Sequence, residues 1–437
     1  MTPDESLTQP STGSVRPDEI EQTLDADELG FGSRLRPEFR QAVVEASDAT
    51  RTVASRDGGD IVGVAVSVPS EMTLPGLEVV PTAAVVGVAV WPTHRRQGRL
   101  RSMMRYQVDD LRARDDWIAV LTSSEAPIYQ RFGYGPATLA TSYTIESRAV
   151  SVEPPGGARR SAADGGEADG RSGRVRFVTR EEAAKVFPTV LERYQRTRAG
   201  EVARLSLGWF DVLGDPTPED QRARFYVVHD DGGEVQGYAS YRIVVEERGR
   251  RQRVLKLDEL CSTSAFTYEA LWAYLVDVDL ISRIDTGGRP IDEPIRWALS
   301  DYRRMRPLGT SEHTFVRLID VERALAARRY EDEGSLVLSV TDRFCPWNEG
   351  TYRITVAGDH GGGGGEAAVE VEREGEGRGR RPDIRLDVSA LASMYLGGIR
   401  PSALAQVGLV EELVGGALDV ADHMFVGPVP PYCTTSF

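Results

Sequence analysis

The stretch Val86–Met104, VGVAVWPTHRRQGRLRSMM, has the residue types and spacing of an anion site. An apolar run ends at Trp91-Pro92, passes through Arg95, Arg96, Gly98, Arg99 and Arg101, and returns to apolar residues at helical spacing. A turn needs Gly or Pro but no such density of positive charge; a phosphate site needs both. Unpaired N–H groups and the dipole at a helix start favour an anion. Glycine lets the backbone approach it closely, and arginines add bidentate donors. A pyrophosphate fits best. Neither GxxxxGK[ST] nor GxGxxG is present, so this is not a Walker loop or a dinucleotide fingerprint. A second polar stretch, LTSSEAPIYQRFGYG (Leu121–Gly135), follows the next apolar run.

The elements that must position these residues read as follows. IVGVAVSVPSEM, TAAVVGVAVWP and WIAVLTSS predict strands. RLRSMMRYQVDDLRARDD predicts a helix with Leu100, Met103, Met104, Val108 and Leu111 on one face. Residues 19–152 therefore read as α/β. Residues 175–320 have the same character, with helices REEAAKVFPTVLERYQR and TYEALWAYLVDV and strands RARFYVVHD and VQGYASYRIVVEE, but no Arg-rich glycine turn. Residues 321–437 mix helix and strand and end in VGPVPPYCTTSF. Residues 1–18 read as a disordered tail and 153–174 as a low-complexity linker. Residues 358–383 read as a long hairpin loop between strand-like GTYRITVAG and strand-like DIRLDVSALASMYLG.

Composition narrows the function. The chain has 437 residues and a formal net charge of −15. That balance argues against a nucleic-acid partner. Cys261, Cys345 and Cys433 lie far apart, and the five His show no metal spacing, so no metal or disulfide framework is expected. His94 reads as a loop residue and Gly361–Gly365 as part of a flexible loop. The N-terminal residues are acidic and polar, and no apolar run approaches a membrane span. The expectation is a cytoplasmic protein.

The spacing Arg95-x-x-Gly98-x-Leu100 resembles the acyl-coenzyme A signature of GCN5-related N-acetyltransferases, with Leu100 where Gly or Ala is usual. With SSEAPIYQRFGYG it resembles the Eis (enhanced intracellular survival) family, specifically over residues 60–140 and more loosely elsewhere. The resemblance implies an α/β (α+β) fold of two fused GNAT-like domains, followed by a sterol-carrier-protein-like α+β domain. Only the first GNAT-like domain would hold acetyl-CoA. Val88, Ala89 and Val90 would pair with the pantetheine arm, Arg96, Gln97, Gly98, Arg99, Leu100 and Arg101 would cradle the pyrophosphate, and Ser124 and Glu125 would lie at the far lip of a strand splay. Tyr129 would be the general acid: a phenol of pKa about 10 suits a leaving thiolate of pKa about 8.5 or higher. The terminal carboxylate of Phe437 would be the base, anionic at neutral pH because its unperturbed pKa is about 3.3–3.7. Gly87 would widen the acceptor pocket.

The resemblance further implies a homo-oligomer, a hexamer, acting on cationic small-molecule amines, aminoglycosides first, with broad regiospecificity and an acidic pocket. Protein lysines or polyamines are alternative acceptors. A non-catalytic lipid- or ligand-binding protein is the alternative of another class.

Overall fold

The computed structural model describes residues 11–152, 173–214, 224–247, 251–357, 368–374 and 381–436. The chain forms two compact units: residues 1–137 with 314–427 and 437, and residues 138–313 with 428–436.

The first unit holds two sheets. Strands β1 (Ser11–Ser14), β2 (Thr52–Asp57), β3 (Asp60–Thr73), β4 (Val79–Val90), β5 (Ile118–Thr122) and β6 (Gly135–Pro136) build the larger one. Its order is β1-β2-β3-β4-β5, then strand Thr314–Leu318, then β6. All pairs are antiparallel except β4 with β5. Helices α1 (Ile20–Phe31), α2 (Pro37–Ala46), α3 (Arg99–Ala113) and α4 (Pro127–Gln130) complete this part. In α3 the helical spacing buries Met103, Met104, Val108 and Leu111 together, and Leu100 is half-buried.

Several expectations change here. Ser11–Ser14 pair with Val53–Arg56, so the tail expected over 1–18 is structured from residue 11. The domains are not contiguous blocks either. Leu139–Ile145 pairs with strands of the second unit, while Thr314–Leu318 lies in the first sheet between β5 and β6. All five residues of Thr314–Leu318 are buried, so the strand covers edges of β5 and β6 that would otherwise leave backbone unpaired.

The second sheet of this unit has the order Ala368–Glu374, Gly350–Ala357, Gly334–Thr341, Ile384–Asp387, Val410–Glu412. The loop expected over 358–383 thus contains a strand, Ala368–Glu374, whose AVEVERE pattern alternates and pairs with Thr351–Ala357. The stretch read as strand from Asp383 turns helical at Val388 because Asp387 caps the N–H of Ser389 (2.9 Å).

The second unit is an eight-stranded sheet. Its path runs Arg289–Pro290, Leu139–Ile145, Arg283–Thr286, Gln252–Ser262, Glu234–Glu246, Arg224–Asp231, Gly173–Val178, with Met305–Glu312 pairing Leu139–Ile145 off that path. Trp272, Leu271, Leu275, Ile145 and Leu255 are fully buried in its core. Residues 153–172 of the expected linker and Gly361–Gly365 lie outside the described residues, and Gly173 and Arg174 already belong to a strand. No helix among the described residues is long and apolar enough to cross a membrane.

Gly135 of β6 lies against helix Val388–Met394, and a Cβ there would collide with the Ser389 carbonyl and the Ser393 hydroxyl. Gly135→Ala should therefore cost about 1–3 kcal/mol, the size of overpacking. Gly59→Ala, whose Cβ meets nothing within 4 Å, serves as the control in urea unfolding.

Candidate active site

The site begins with a break in β4. Against β3, Ala89 faces Val64 and Val86 faces Val66, so Gly87 and Val88 stand opposite the single residue Ala65. This is a bulge. Gly87 has φ +56°, a conformation that favours glycine. Its role is conformational, beyond any widening of a pocket. On the other edge, β4 pairs with β5 only at Ala83–Ala119 and Ala84–Val120, although β4 continues to Val90 and β5 to Thr122. The two strands part after Ala84. The β5-facing edge of Val88–Val90 is thereby left without a strand partner, as backbone recognition of an extended amide chain requires.

The chain then enters the Arg-Gly turn. Arg95 ties it down, donating from Nε to the Val90 carbonyl (3.2 Å) and from Nη2 to the Gly30 carbonyl (2.6 Å). Arg96 and Gly98 are both left-handed, φ +62° and +81°. The first helical bond of α3 runs from the Ser102 N–H to the Gly98 carbonyl (3.0 Å), so the N–H groups of Arg99, Leu100 and Arg101 precede it. A Cβ at Gly98 would meet nothing within 4 Å, so the approach to these donors is open. The turn fits a pyrophosphate by its backbone.

Its side chains divide into two groups. Arg99 is 5% exposed and spans from α3 to β2: Nη2 reaches Asp57 Oδ2 at 2.5 Å, and Nη1 donates to the Arg56 carbonyl (3.1 Å) and Ser55 Oγ (3.3 Å). Its guanidinium is a structural strut, so Arg99 contributes its N–H and not its side chain to a cradle. Arg96, Gln97 and Arg101 are exposed and keep their side chains at the turn's surface. His94, read as a loop residue, closes a 3-10 turn (Pro92–His94), with Thr93 Oγ1 at 2.8 Å and Asp57 at 3.4 Å.

Across the opening, Ser124 and Glu125 are exposed after β5, and the Glu125 N–H donates to Ser123 Oγ (3.0 Å). Pro127 starts α4, which carries Tyr129. Tyr129 packs against the same core cluster as Val88 and Leu100, with its ring edge-on to buried Tyr134 at 5.9 Å. Burial, helped by Glu125, pushes its phenol up to about 12, so it carries its proton at neutral pH.

The sequence reading missed Asp27. It lies on α1 at the spacing of buried Ile20, Thr23, Leu24 and Gly30, and an acid on a core-facing position was the available signal. Its Oδ1 is buried without a hydrogen-bond partner among the described residues and would lie 3.5 Å from a Cβ at Gly87. Burial, then Glu28, pushes its carboxyl up to about 6.

Phe437 lies outside the described residues. The segment leading to it belongs to the second unit, where the Tyr432 N–H donates to the Ala199 carbonyl (3.0 Å) and its hydroxyl to the Gly288 carbonyl (2.7 Å). Thr434 and Ser436 rim a cleft of about 1080 Å³ in that unit. Four basic residues of its lining (Arg204, Arg224, Arg242, Lys256) match four acidic ones (Glu246, Asp258, Glu259, Asp285). This cleft is charge-balanced. No group of His, Cys, Asp and Glu able to hold a metal occurs among the described residues.

A sheet that opens after a bulge and feeds an arginine-glycine turn into a helix defines an acetyltransferase of the GCN5-related class, whose members use acetyl-CoA. Acetyltransferase (GNAT) domain models match residues 12–137 and 200–318, and a sterol carrier protein domain model matches 321–434. The chain is 30% identical to N-acetyltransferase Eis of Mycobacterium tuberculosis, over 88% of this chain and 91% of that protein. It is 38% identical to an uncharacterized N-acetyltransferase of Streptomyces coelicolor, over 89% and 90%. The structure of Eis1 from Mycobacterium abscessus matches with a TM-score of 0.80 and 30% identity, covering 98% of this chain and all of that one. The chain belongs to the Eis family of N-acetyltransferases.

The two arginine types predict different defects. Arg101→Gln should raise the acetyl-CoA KM about 3–10-fold, as expected for one exposed charge-assisted contact, and leave Tm unchanged. Arg99→Gln should instead lower Tm, since it strands a strut between α3 and β2. Thermal melts paired with acetyl-CoA titrations distinguish the two.

Proposed function

We propose that this acetyltransferase transfers acetyl from acetyl-CoA to amines of cationic acceptors, aminoglycosides first and with broad regiospecificity. The observation that carries this reading is the pairing, at one strand, of a proton donor with an unpaired carboxylate. Tyr129 packs against the same core cluster as Val88, and Asp27 Oδ1 faces Gly87 of the same bulge. An acyl transfer to an ammonium needs a group to hold the cation, a base to take its proton, and an acid for the departing thiolate.

On this reading acetyl-CoA supplies the activated acyl group. Val88–Val90 hold its arm by backbone bonds, and an N–H at the bulge polarises the thioester carbonyl. The turn 96–101 holds its pyrophosphate, chiefly through backbone N–H groups and the exposed Arg96 and Arg101. Ser124 and Glu125 border the far lip of the opening. Asp27 attracts the ammonium. The terminal carboxylate of Phe437 removes its proton, the amine attacks the carbonyl carbon, and Tyr129 protonates the leaving sulfur. Because the cleft beside Ser436 is charge-balanced, selection of a cation is assigned to Asp27. Assembly as a homo-oligomer, a hexamer, with no nucleic-acid partner and a cytoplasmic location, is part of the same proposal. Trp297, 76% exposed beside exposed Tyr302, offers apolar surface for such assembly.

Thiol release from acetyl-CoA with aminoglycosides, polyamines and lysine peptides tests the acceptor class. Turnover restricted to peptides or polyamines would move the assignment to those amines. Coenzyme binding without turnover by any amine would leave the acceptor class unsupported. Deleting Phe437, or making Tyr129→Phe, should slow transfer by roughly 10²-fold or more, the size of a lost acid–base group, with little change in acetyl-CoA KM. Full turnover in both variants would falsify the assigned chemistry.

Asp27 gives a pH signature. Its folded carboxyl is raised to about 6, so it is neutral below that and ionised above. An ammonium acceptor stays cationic throughout that range, so its apparent KM should fall as pH rises through about 6. Asp27→Asn should flatten that limb and leave the acetyl-CoA KM unaltered.

A further inference from the structure

The chain's last residues run through the second unit on a set of specific bonds, and one of these is unusual. Glu201 follows helix Arg180–Gln195 and is 0% exposed. A fully buried carboxylate is costly unless it is hydrogen-bonded. Both its oxygens face the tail. Oε1 and Oε2 accept the Thr434 N–H at 3.1 and 3.0 Å, Oε1 also accepts the Thr434 hydroxyl at 2.6 Å, and the Cys433 thiol lies 3.8 Å from Oε1. Burial pushes this carboxyl up to about 7, and the bonds from Thr434 and the charge of Arg204 oppose that rise. The tail's donors therefore favour the ionised form.

We infer that Glu201 is a positioning residue for acetyl transfer, acting by clamping Thr434 and thereby holding the terminal carboxylate three residues further on. This rests on the proposed role of Phe437. From a fixed Thr434 the terminus can range over at most about 10 Å, the extended reach of three residues. Without that clamp the reach grows, to at most about 17 Å for the five residues from Tyr432. A base spread over a larger volume is in place for a smaller fraction of encounters, and misplacement by about 1 Å can cost about 10²-fold in rate. Gly200 supports the same geometry. With φ +90° it brings the backbone beside Pro431 and Tyr432, where a Cβ would lie 3.2 Å from Pro431 Cβ and 3.3 Å from the Tyr432 nitrogen. His313 Nε2 is 3.2 Å from Ser436 Oγ, an exposed contact beyond the clamp.

The test is a double-mutant cycle between Glu201→Gln and deletion of Phe437, read by kcat, acetyl-CoA KM and amide exchange over residues 430–436. In the full chain Glu201→Gln should lower kcat about 10-fold or more, leave the acetyl-CoA KM unchanged and speed exchange in the tail. In the chain lacking Phe437 the same substitution should change kcat less than about 2-fold, because positions acting through one group are not additive. Thr434→Val removes the hydroxyl bond and leaves the buried carboxylate in place. It should give a smaller loss of the same kind in a chain that still folds cooperatively, which covers the case that Glu201→Gln does not fold. If deleting Phe437 slows the enzyme but Glu201→Gln and Thr434→Val leave kcat and exchange as they were, the clamp is refuted while the terminal base stands. An equal loss from Glu201→Gln with and without Phe437 also overturns it. If deletion of Phe437 leaves turnover intact, it is the underlying reading that fails.

Discussion

Everything at the active site depends on the place where β4 stops being an ordinary strand. At Ala83 and Ala84 it is paired on both edges. Beyond them, β5 has parted and the β3 register is broken by one residue at Gly87 and Val88. A sheet interior tolerates neither loss cheaply, since an unpaired buried amide costs about 1–3 kcal/mol. The opening persists because the side chains around it are held from elsewhere. Ala89 and Val90 are buried, and Val88 and Leu100 pack against the clusters built on Met103 and Met104. The backbone edge can thus remain exposed to a ligand while the side chains of the same residues remain core.

The arginines after the bulge show how one run of like charges serves two purposes. Arg95 and Arg99 turn inward. One ties the end of β4 to the last turn of α1, and the other ties the first turn of α3 to the end of β2. These two ties orient the N-terminus of α3, so that the dipole and free N–H groups of that helix face the turn. Only then do Arg96 and Arg101 add charge at the surface. The strand Thr314–Leu318 extends the same scaffold from the opposite edge. Its Arg317 is fully buried and paired with Asp342 at 2.6 Å, and Asp342 in turn accepts the N–H of Cys345. Removing one partner of such a buried pair costs about 3–5 kcal/mol, so the link between the first sheet and the domain that follows it is a strong one.

How much of this the sequence shows depends on the range of the interaction. The strand-turn-helix around Arg95–Arg101 was legible because each part is local: an apolar run, a glycine, and a 3.6-residue apolar repeat. Tyr129 is singled out only by the family resemblance, which places it on the short helix after the next strand. The function of Arg99 was not, because its partner Asp57 is 42 residues away and nothing in the turn marks one arginine as buried. The crossings at 137 and 314 were hidden for the same reason. Nothing in the sequence singles out Leu139–Ile145 or Thr314–Leu318, and pairing partners more than a hundred residues apart leave no local trace. Asp387 is a fair miss of another kind. A run with β-branched residues looked like strand until its cap was seen to start a helix.

The second unit shows what the first would be without its chemistry. Its strand Gln252–Ser262 also has a register break, where Ser240 faces Glu259 and Tyr241 faces Leu257, and it also pairs in parallel with a short strand, over Val254–Leu257 only. A helix, Ala265–Val276, follows it as α3 follows β4. Yet that helix begins with Ser264, whose hydroxyl takes the Thr267 N–H at 3.2 Å, and no arginine or glycine precedes it. The helix start satisfies itself. Beyond the paired segment, Arg289 is buried, donating to the Leu260 carbonyl (2.9 Å) and to Glu293 (2.9 Å). The place where the first unit offers a strand edge to a ligand is here bonded by the protein's own side chain. The two strand arrangements thus differ in whether the helix start and the strand edge are bonded by the protein itself, with Gly98 and its flanking arginines at this place in one unit and Ser264 and Arg289 in the other.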